Sequence, residues 1–113
     1  MLKEITQIIT RISGRRGRNC YYQLARAVLV VVRTLPEEPL MKVICAETAH
    51  ICEKKAPAVW KALSRAVDDI WEYGDRAELS ATLGYTPREK PSPHDFIISL
   101  ACQIWCKQEN LKE

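Results

Sequence analysis

The sequence predicts an all-α fold, a single domain of six helices that spans residues 1–113. Two observations support this prediction: apolar residues recur at helical spacing in long segments, and glycines or capping residues separate those segments. Apolar residues make up 47% of the 113 residues, which is typical of a globular chain with a core of its own.

Two helices are predicted in the first third of the chain. The first extends from Leu2 to Ser13, and Gly14 is suited to end it. Residues 14–19 then form a basic loop, and residues 20–35 form the second element. Its apolar run at 28–32 is also compatible with a buried strand, but residues 22–27 lead into that run without a turn signal. We therefore expect a central helix that is buried on nearly all sides.

The segment from Met41 to Tyr73 predicts two helices joined by a short break, which indicates a helix-turn-helix. The first helix covers residues 41–52, residues 53–56 form the break, and Pro57 suits the first turn of the second helix. Lys61 and Arg65 lie four residues apart, and hence together, away from the apolar side of that helix. An ordinary pair of packed helices is the alternative interpretation.

Two further helices complete the prediction. Gly74 ends the second helix of the pair described above. Asp75 is suited to cap a short helix over residues 76–83, and Gly84 ends that helix. A loop with two prolines follows. Ser92, Pro93 and Asp95 then combine three signals for the start of the last helix, which extends to about residue 110.

Charge is unevenly distributed along the chain. The net charge is only +3, but residues 1–35 contain seven lysines or arginines against Glu4 as the single acid. This bias predicts an anionic partner on that side of the molecule, with charge that serves only solubility as the alternative. The longest apolar run, residues 27–32, is too short for a membrane span, and no secretory signal is visible. We expect a cytoplasmic protein with reduced cysteines and no membrane partner.

The residues offer little for catalysis or metal binding. His50 and His94 lie on different elements, without a neighbouring nucleophile. Asp68 and Asp69 point about 100° apart on one helix, so a solvated face is expected. The five cysteines, of which Cys102 and Cys106 share a face, lack the short spacings of structural zinc sites. We therefore expect no enzyme, no metal and no cofactor.

The three tryptophans lie on predicted helices. Trp71 and Trp105 follow the inward sides of their helices and are expected in the core. Trp60, near the start of the cationic helix, is compatible both with a core position and with contact to a bound partner.

The second half of the chain resembles a known family, the C-terminal DNA-binding effector domain of the sporulation master response regulator of endospore-forming bacteria. Three segments carry the resemblance: residues 67–74 (VDDIWEYG), 83–86 (LGYT) and 90–96 (KPSPHDF). Residues 5–9 (ITQII) are also similar to the family's first helix. The resemblance implies a six-helix domain of the winged-helix-like DNA-binding superfamily, which acts as a transcription regulator.

The resemblance also implies that the helix from Ala56 to Tyr73 reads bases in the major groove. The family uses mainly arginines, with a glutamate and a histidine, and this chain has Ala58, Trp60, Lys61 and Arg65 at those positions. Lys61 and Arg65 keep a positively charged side chain at two of these positions. Ala58 and Trp60 lack the long polar side chains that hydrogen bonding to base edges needs. The family's target sequence is therefore not expected to transfer.

Basic residues outside those positions are candidates for contacts to DNA phosphates, which fix register without reading sequence. They are Arg15, Arg16, Arg18, Lys54 and Lys55. The expected partner is double-stranded DNA, with a homodimer on DNA and contact to RNA polymerase or a full-length regulator as further options. The alternative function is a protein–protein interaction module that has lost specific DNA reading.

The family protein carries a phosphorylatable receiver domain ahead of the effector. Met1 of this chain starts directly on the effector-like sequence. We therefore expect a stand-alone domain that aspartate phosphorylation does not switch.

Overall fold

The computed structural model describes residues 1–14 and 19–112, and the described residues form helices and contain no strand. The all-α prediction is therefore confirmed for this part of the chain. The described helices are α1 (Leu2–Ser13), α2 (Asn19–Thr34), α3 (Met41–Cys52), α4 (Ala56–Tyr73), α5 (Arg76–Leu83) and α6 (Pro93–Lys112). None of these helices combines the length and the hydropathy that a bilayer span requires.

Helix α2 lies at the centre of the structure and packs against α1, α3, α4 and α6. The run at 28–32 is helical, and its residues are buried on all sides of the helix. A strand would present alternate residues to two faces, whereas contact with four surrounding helices requires apolar residues around the whole circumference. The packing partners therefore explain why this helix is so apolar.

Local signals place most helix ends where the sequence predicted them. Gly14 and Gly84 end α1 and α5 in the left-handed conformation, with φ of 69° and 83°. The Asp75 side chain accepts a hydrogen bond of 3.1 Å from the Glu78 amide at the start of α5. Ser92 Oγ likewise accepts one of 3.1 Å from the Asp95 amide at the start of α6. Each of these caps satisfies a backbone group that the helix itself leaves free.

Gly74 ends α4 for a different reason. Its backbone is extended, with φ of −80°, so a left-handed conformation is not what requires glycine here. A Cβ at this position would lie 2.6 Å from the Ile12 carbonyl oxygen and would also collide with the Ile70 carbonyl oxygen. The next residue, Asp75, donates its amide to the Ile12 carbonyl oxygen at 2.8 Å. Close approach of two backbones therefore joins the end of α4 to the end of α1.

The break between α3 and α4 is one residue shorter than predicted, because Ala56 begins α4. Glu53 takes the left-handed conformation, with φ of 56°, and reverses the chain after α3. Pro57 lies in the first turn of α4, as predicted. The two helices are thus joined by residues 53–55 and pack against each other.

Two side-chain predictions were wrong. Trp105 is only half-buried and does not belong to the core. The acidic pair on α4 is not a purely solvated face, since Asp69 accepts a hydrogen bond of 2.8 Å from the Tyr21 hydroxyl. Trp71 does pack against the core, and Arg76 covers its ring at 3.5 Å from the centroid.

Candidate nucleic-acid interface

Helix α4 presents one side to the core and the opposite side to solvent. Its buried side consists of five residues that are each at most 1% exposed: Val59, Leu63, Ala66, Val67 and Ile70. Because this stripe faces inward, helical geometry turns the positions between its members outward. The outward side is where the candidate base-facing residues lie.

All four candidate base-facing residues are exposed. Lys61 and Arg65 share one side of α4, opposite the core, and Ala58 lies beside them. Trp60 has 46% of its surface exposed. It projects about 100° around the helix from Lys61, as adjacent residues on a helix must. The structure therefore brings Ala58, Lys61 and Arg65 together in one groove, and Trp60 meets Lys61 and Arg65 in a second groove on the other flank of α4.

The first flank of α4 forms a groove with α2, which we call the α2–α4 groove. Its volume is about 380 Å³. It is lined by Asn19, Cys20, Gln23, Lys54, Ala58, Lys61, Ala62 and Arg65. Lys54, predicted as a phosphate contact, thus joins the two cations of α4. Lys55 is exposed at the N-cap of α4 but does not line the groove.

The three remaining phosphate candidates, Arg15, Arg16 and Arg18, lie outside the described residues. They directly precede Asn19, which lines the groove. Their proposed contact with phosphates stays a prediction.

The cations of the α2–α4 groove have no carboxylate partner. Ion pairs in the described part of the chain join Lys90 to Asp68 and the Met1 amino group to Glu4, and none involves Lys54, Lys61 or Arg65. These three cations therefore line a concave surface and form no ion pair within the described residues, while Asp68, Asp69 and Glu72 line the neighbouring groove with Lys61 and Arg65. Such a surface attracts anions, because a cleft concentrates the field of the charges that line it.

The second flank of α4 combines aromatic and acidic residues. Trp60 and Tyr73, the latter 65% exposed, line a groove of about 530 Å³. Lys61 and Arg65 line it too, together with Ser64, Asp68, Asp69 and Glu72. The carboxylates on this side offset the positive charge of Lys61 and Arg65. Phosphate binding is therefore less favoured here than in the α2–α4 groove.

Gln23 lines the α2–α4 groove, which reasoning from the sequence missed. It lies in the otherwise apolar α2, is only 4% exposed, and its Oε1 has no hydrogen-bond partner. The available signal was the polar side chain itself, because a helix expected to be buried on all sides should not carry an amide without a use. Only the fold reveals that this amide lies at the α2–α4 groove.

Within the described residues, no group of three or more His, Cys, Asp or Glu side chains is placed to hold a metal ion. Burial raises the pKa of the Cys45, Cys52 and Cys102 thiols above the ordinary value of 9.0. A raised pKa lowers the thiolate fraction and hence nucleophilicity. His94 is held by a 3.0 Å hydrogen bond between its Nε2 and the Pro39 carbonyl oxygen, which fixes the loop before α3 to α6.

Comparison with known proteins adds no assignment: no protein-family model matches this sequence, and no curated protein sequence matches it.

Proposed function

We propose that this chain is a DNA-binding transcriptional regulator, similar to the effector domain of the sporulation master response regulator. In this proposal α3 and α4 form a helix-turn-helix, and α4 enters the major groove of double-stranded DNA. The observation that carries it is the orientation of α4. This helix buries one apolar side completely and presents Lys61 and Arg65 on the opposite side.

The packing around α4 supports this role. A recognition helix must be held rigidly by the helices behind it while its outer side remains free. Helix α4 packs against α1, α2, α3 and α6. Lys61 and Arg65 have no ion pair that DNA would have to break. Lys54 and Lys55 lie directly before α4, where phosphates flank a helix inserted into the groove.

Selection of bound duplexes from a random pool tests this proposal. The chain is mixed with random duplexes at low salt, and bound molecules are recovered and sequenced over several rounds. We expect enrichment of a short common sequence, since Lys61 and Arg65 can each donate to base edges. Failure to retain any duplex, even at low salt, would contradict the proposal.

A second candidate function rests on the exposure of Trp60 and Tyr73. Aromatic residues are enriched where proteins bind other proteins, and these two line one groove beside charged side chains. We propose as the alternative that this groove binds a full-length regulator or RNA polymerase. Co-purification with either protein, abolished by Trp60→Ala and unaccompanied by any duplex binding, would favour the alternative over DNA recognition.

A further inference from the structure

Helix α6 carries two cysteines four residues apart, Cys102 and Cys106. Both are free thiols, and Cys106 is exposed whereas Cys102 is partly buried. Residues at this spacing lie one turn apart on the same side of a helix, with their Cβ atoms about 5–6 Å apart. The two sulfur atoms therefore form a pair that an ion from solvent can reach, and the proposed DNA recognition does not use them.

The spacing of this pair is unsuited to a disulfide. A disulfide holds its two Cβ atoms about 3.5–4.5 Å apart, closer than two helical positions four residues apart come. Two metal–sulfur bonds of about 2.3 Å each, arranged in line, instead separate the sulfur atoms by roughly 4.6 Å. Because each sulfur turns about its own Cα–Cβ bond, the pair can take this separation without any change in the backbone of α6. A metal ion thus fits between the two thiolates where a direct bond does not.

The number and type of the ligands select the ion. Structural zinc sites have four ligands, and within the described residues no third His, Cys, Asp or Glu side chain completes the pair. Thiolates are soft donors that select soft ions, among them Cu(I). Cu(I) has a filled d shell and is stable with two thiolates in line, and it is the state of copper under reducing conditions, in which thiols stay free. The spacing that excludes a structural zinc site is therefore compatible with Cu(I).

A carboxylate from another part of the chain acts on this pair. Burial raises the pKa of the Cys102 thiol, and the negative charges of Glu38 and Cys106 raise it further. Glu38 lies in the loop before α3, which the hydrogen bond between His94 and the Pro39 carbonyl oxygen holds against α6. Negative charge that opposes the loss of a proton from Cys102 favours a cation that takes the place of that proton.

We propose that Cys102 and Cys106 bind one Cu(I) ion per chain, with their two Sγ atoms as its in-line ligands. Each thiol releases its proton to solvent as its metal–sulfur bond forms, so one Cu(I) replaces two protons and the centre carries one negative charge. No electron is transferred. The site lies on a different helix from the proposed DNA-recognition surface, and neither proposal depends on the other.

Competition for Cu(I) with the coloured chelator bicinchoninate tests the site. The full chain, with its cysteines reduced and oxygen excluded, is titrated into the Cu(I)–bicinchoninate complex, and loss of colour measures the transfer of the ion. We expect the chain to take up one Cu(I) per molecule. Failure to remove Cu(I) from the chelator would overturn the proposal. A ratio of one Cu(I) to two chains would also overturn it, because thiols of two copies would then share the ion.

Substitution of either ligand should remove the site. Loss of an outer partner of a metal ligand already lowers affinity about 10–100-fold, so Cys102→Ser and Cys106→Ser should each lower Cu(I) affinity at least roughly a hundredfold. Cys52→Ser, which removes a partly buried thiol of α3, is the matched control and should leave the affinity unchanged. Circular dichroism checks that each variant is folded. Undiminished affinity in Cys106→Ser, or an equal loss in folded Cys52→Ser, would overturn the proposal.

X-ray absorption at the copper edge tests the geometry. We expect two sulfur neighbours and no nitrogen or oxygen, whereas a third neighbour would contradict the in-line pair. An excess of Zn²⁺ should leave Cu(I) bound, because two ligands leave the tetrahedral coordination of zinc incomplete. Displacement of Cu(I) by Zn²⁺ would contradict the proposed selectivity.

Discussion

The Tyr21 hydroxyl donates a hydrogen bond of 2.8 Å to the Asp69 carboxylate and thereby joins α2 to α4. The two residues are 48 positions apart in the chain, so this bond forms only when the helices pack. It lies on the same pair of helices that borders the α2–α4 groove. It therefore helps to fix the orientation of α4, on which the proposed DNA recognition depends.

Tyr21→Phe should lower the free energy of unfolding by about 1–2 kcal/mol, because it removes a hydrogen bond to a charged acceptor in a partly buried site. Urea unfolding followed by circular dichroism measures the change. The control is Tyr22→Phe, which removes an exposed hydroxyl that accepts from Arg26 and should change stability by less than about 0.5 kcal/mol. A loss of stability for Tyr21→Phe no larger than that for Tyr22→Phe would contradict the predicted contribution of the Tyr21–Asp69 bond.

Gly74→Ala should destabilise the fold by about 2 kcal/mol or more, since the new Cβ would collide with backbone atoms that have no freedom to move away. Gly14→Ala is the comparison. At Gly14 no atom lies within 4 Å of the new Cβ, and only its φ of 69° is unfavourable, by about 1 kcal/mol. Thermal and urea unfolding of both variants measures the difference. A larger loss of stability for Gly14→Ala than for Gly74→Ala would contradict the close approach of α4 and α1.

The orientation of α4 can be tested by comparing the free energy of unfolding of two variants, Trp60→Ala and Leu63→Ala, which should differ sharply. Leu63 is fully buried, so its truncation should lower the free energy of unfolding by about 3 kcal/mol. Trp60 is 46% exposed, so its truncation should have a clearly smaller effect despite the larger side chain. The reverse order would mean that α4 turns a different side to the core.

The cysteines should react with iodoacetamide in an order set by exposure and pKa. Cys106 is exposed and should be labelled first, whereas burial both shields Cys45 and raises its pKa. Labelling of Cys45 should increase as the pH rises above 9.0, the ordinary thiol value. Because the Cys45 pKa is higher in the folded state, the thiol ionises at lower pH in the unfolded chain. The folded state therefore loses stability as the pH rises above 9.0. Mass spectrometry of digested samples over time checks this order, which rapid labelling of Cys45 at neutral pH would contradict.

Much of the fold could be predicted from the sequence because its signals are local. Gly14, Gly84, Asp75 and Ser92 each act within a few residues, so their effects on helix ends are visible without any tertiary information. The outward position of Lys61 and Arg65 also followed from helical spacing alone, since the buried stripe of α4 fixes the opposite side.

Features that depend on packing could not be predicted in this way. The Tyr21–Asp69 bond joins two distant helices, and the requirement for glycine at position 74 arises from the end of another helix. Trp105 follows an inward stripe on α6 but is only half-buried in the folded structure. The position of Gln23 beside the α2–α4 groove likewise required the fold, because its sequence neighbours give no indication of that groove.

The central claim is that α4 binds DNA through Lys61 and Arg65, and the salt dependence of duplex binding tests it most directly. Duplex affinity should fall steeply with salt, with a log–log slope of several units. The double charge reversal Lys61→Glu and Arg65→Glu should weaken binding and reduce that slope while the helical circular dichroism signal is unchanged. The control, Lys3→Glu with Lys107→Glu, makes the same change in net charge at exposed positions of α1 and α6 and should have a much smaller effect. Binding that the first pair leaves unchanged would contradict the assignment of α4 as the DNA-binding helix.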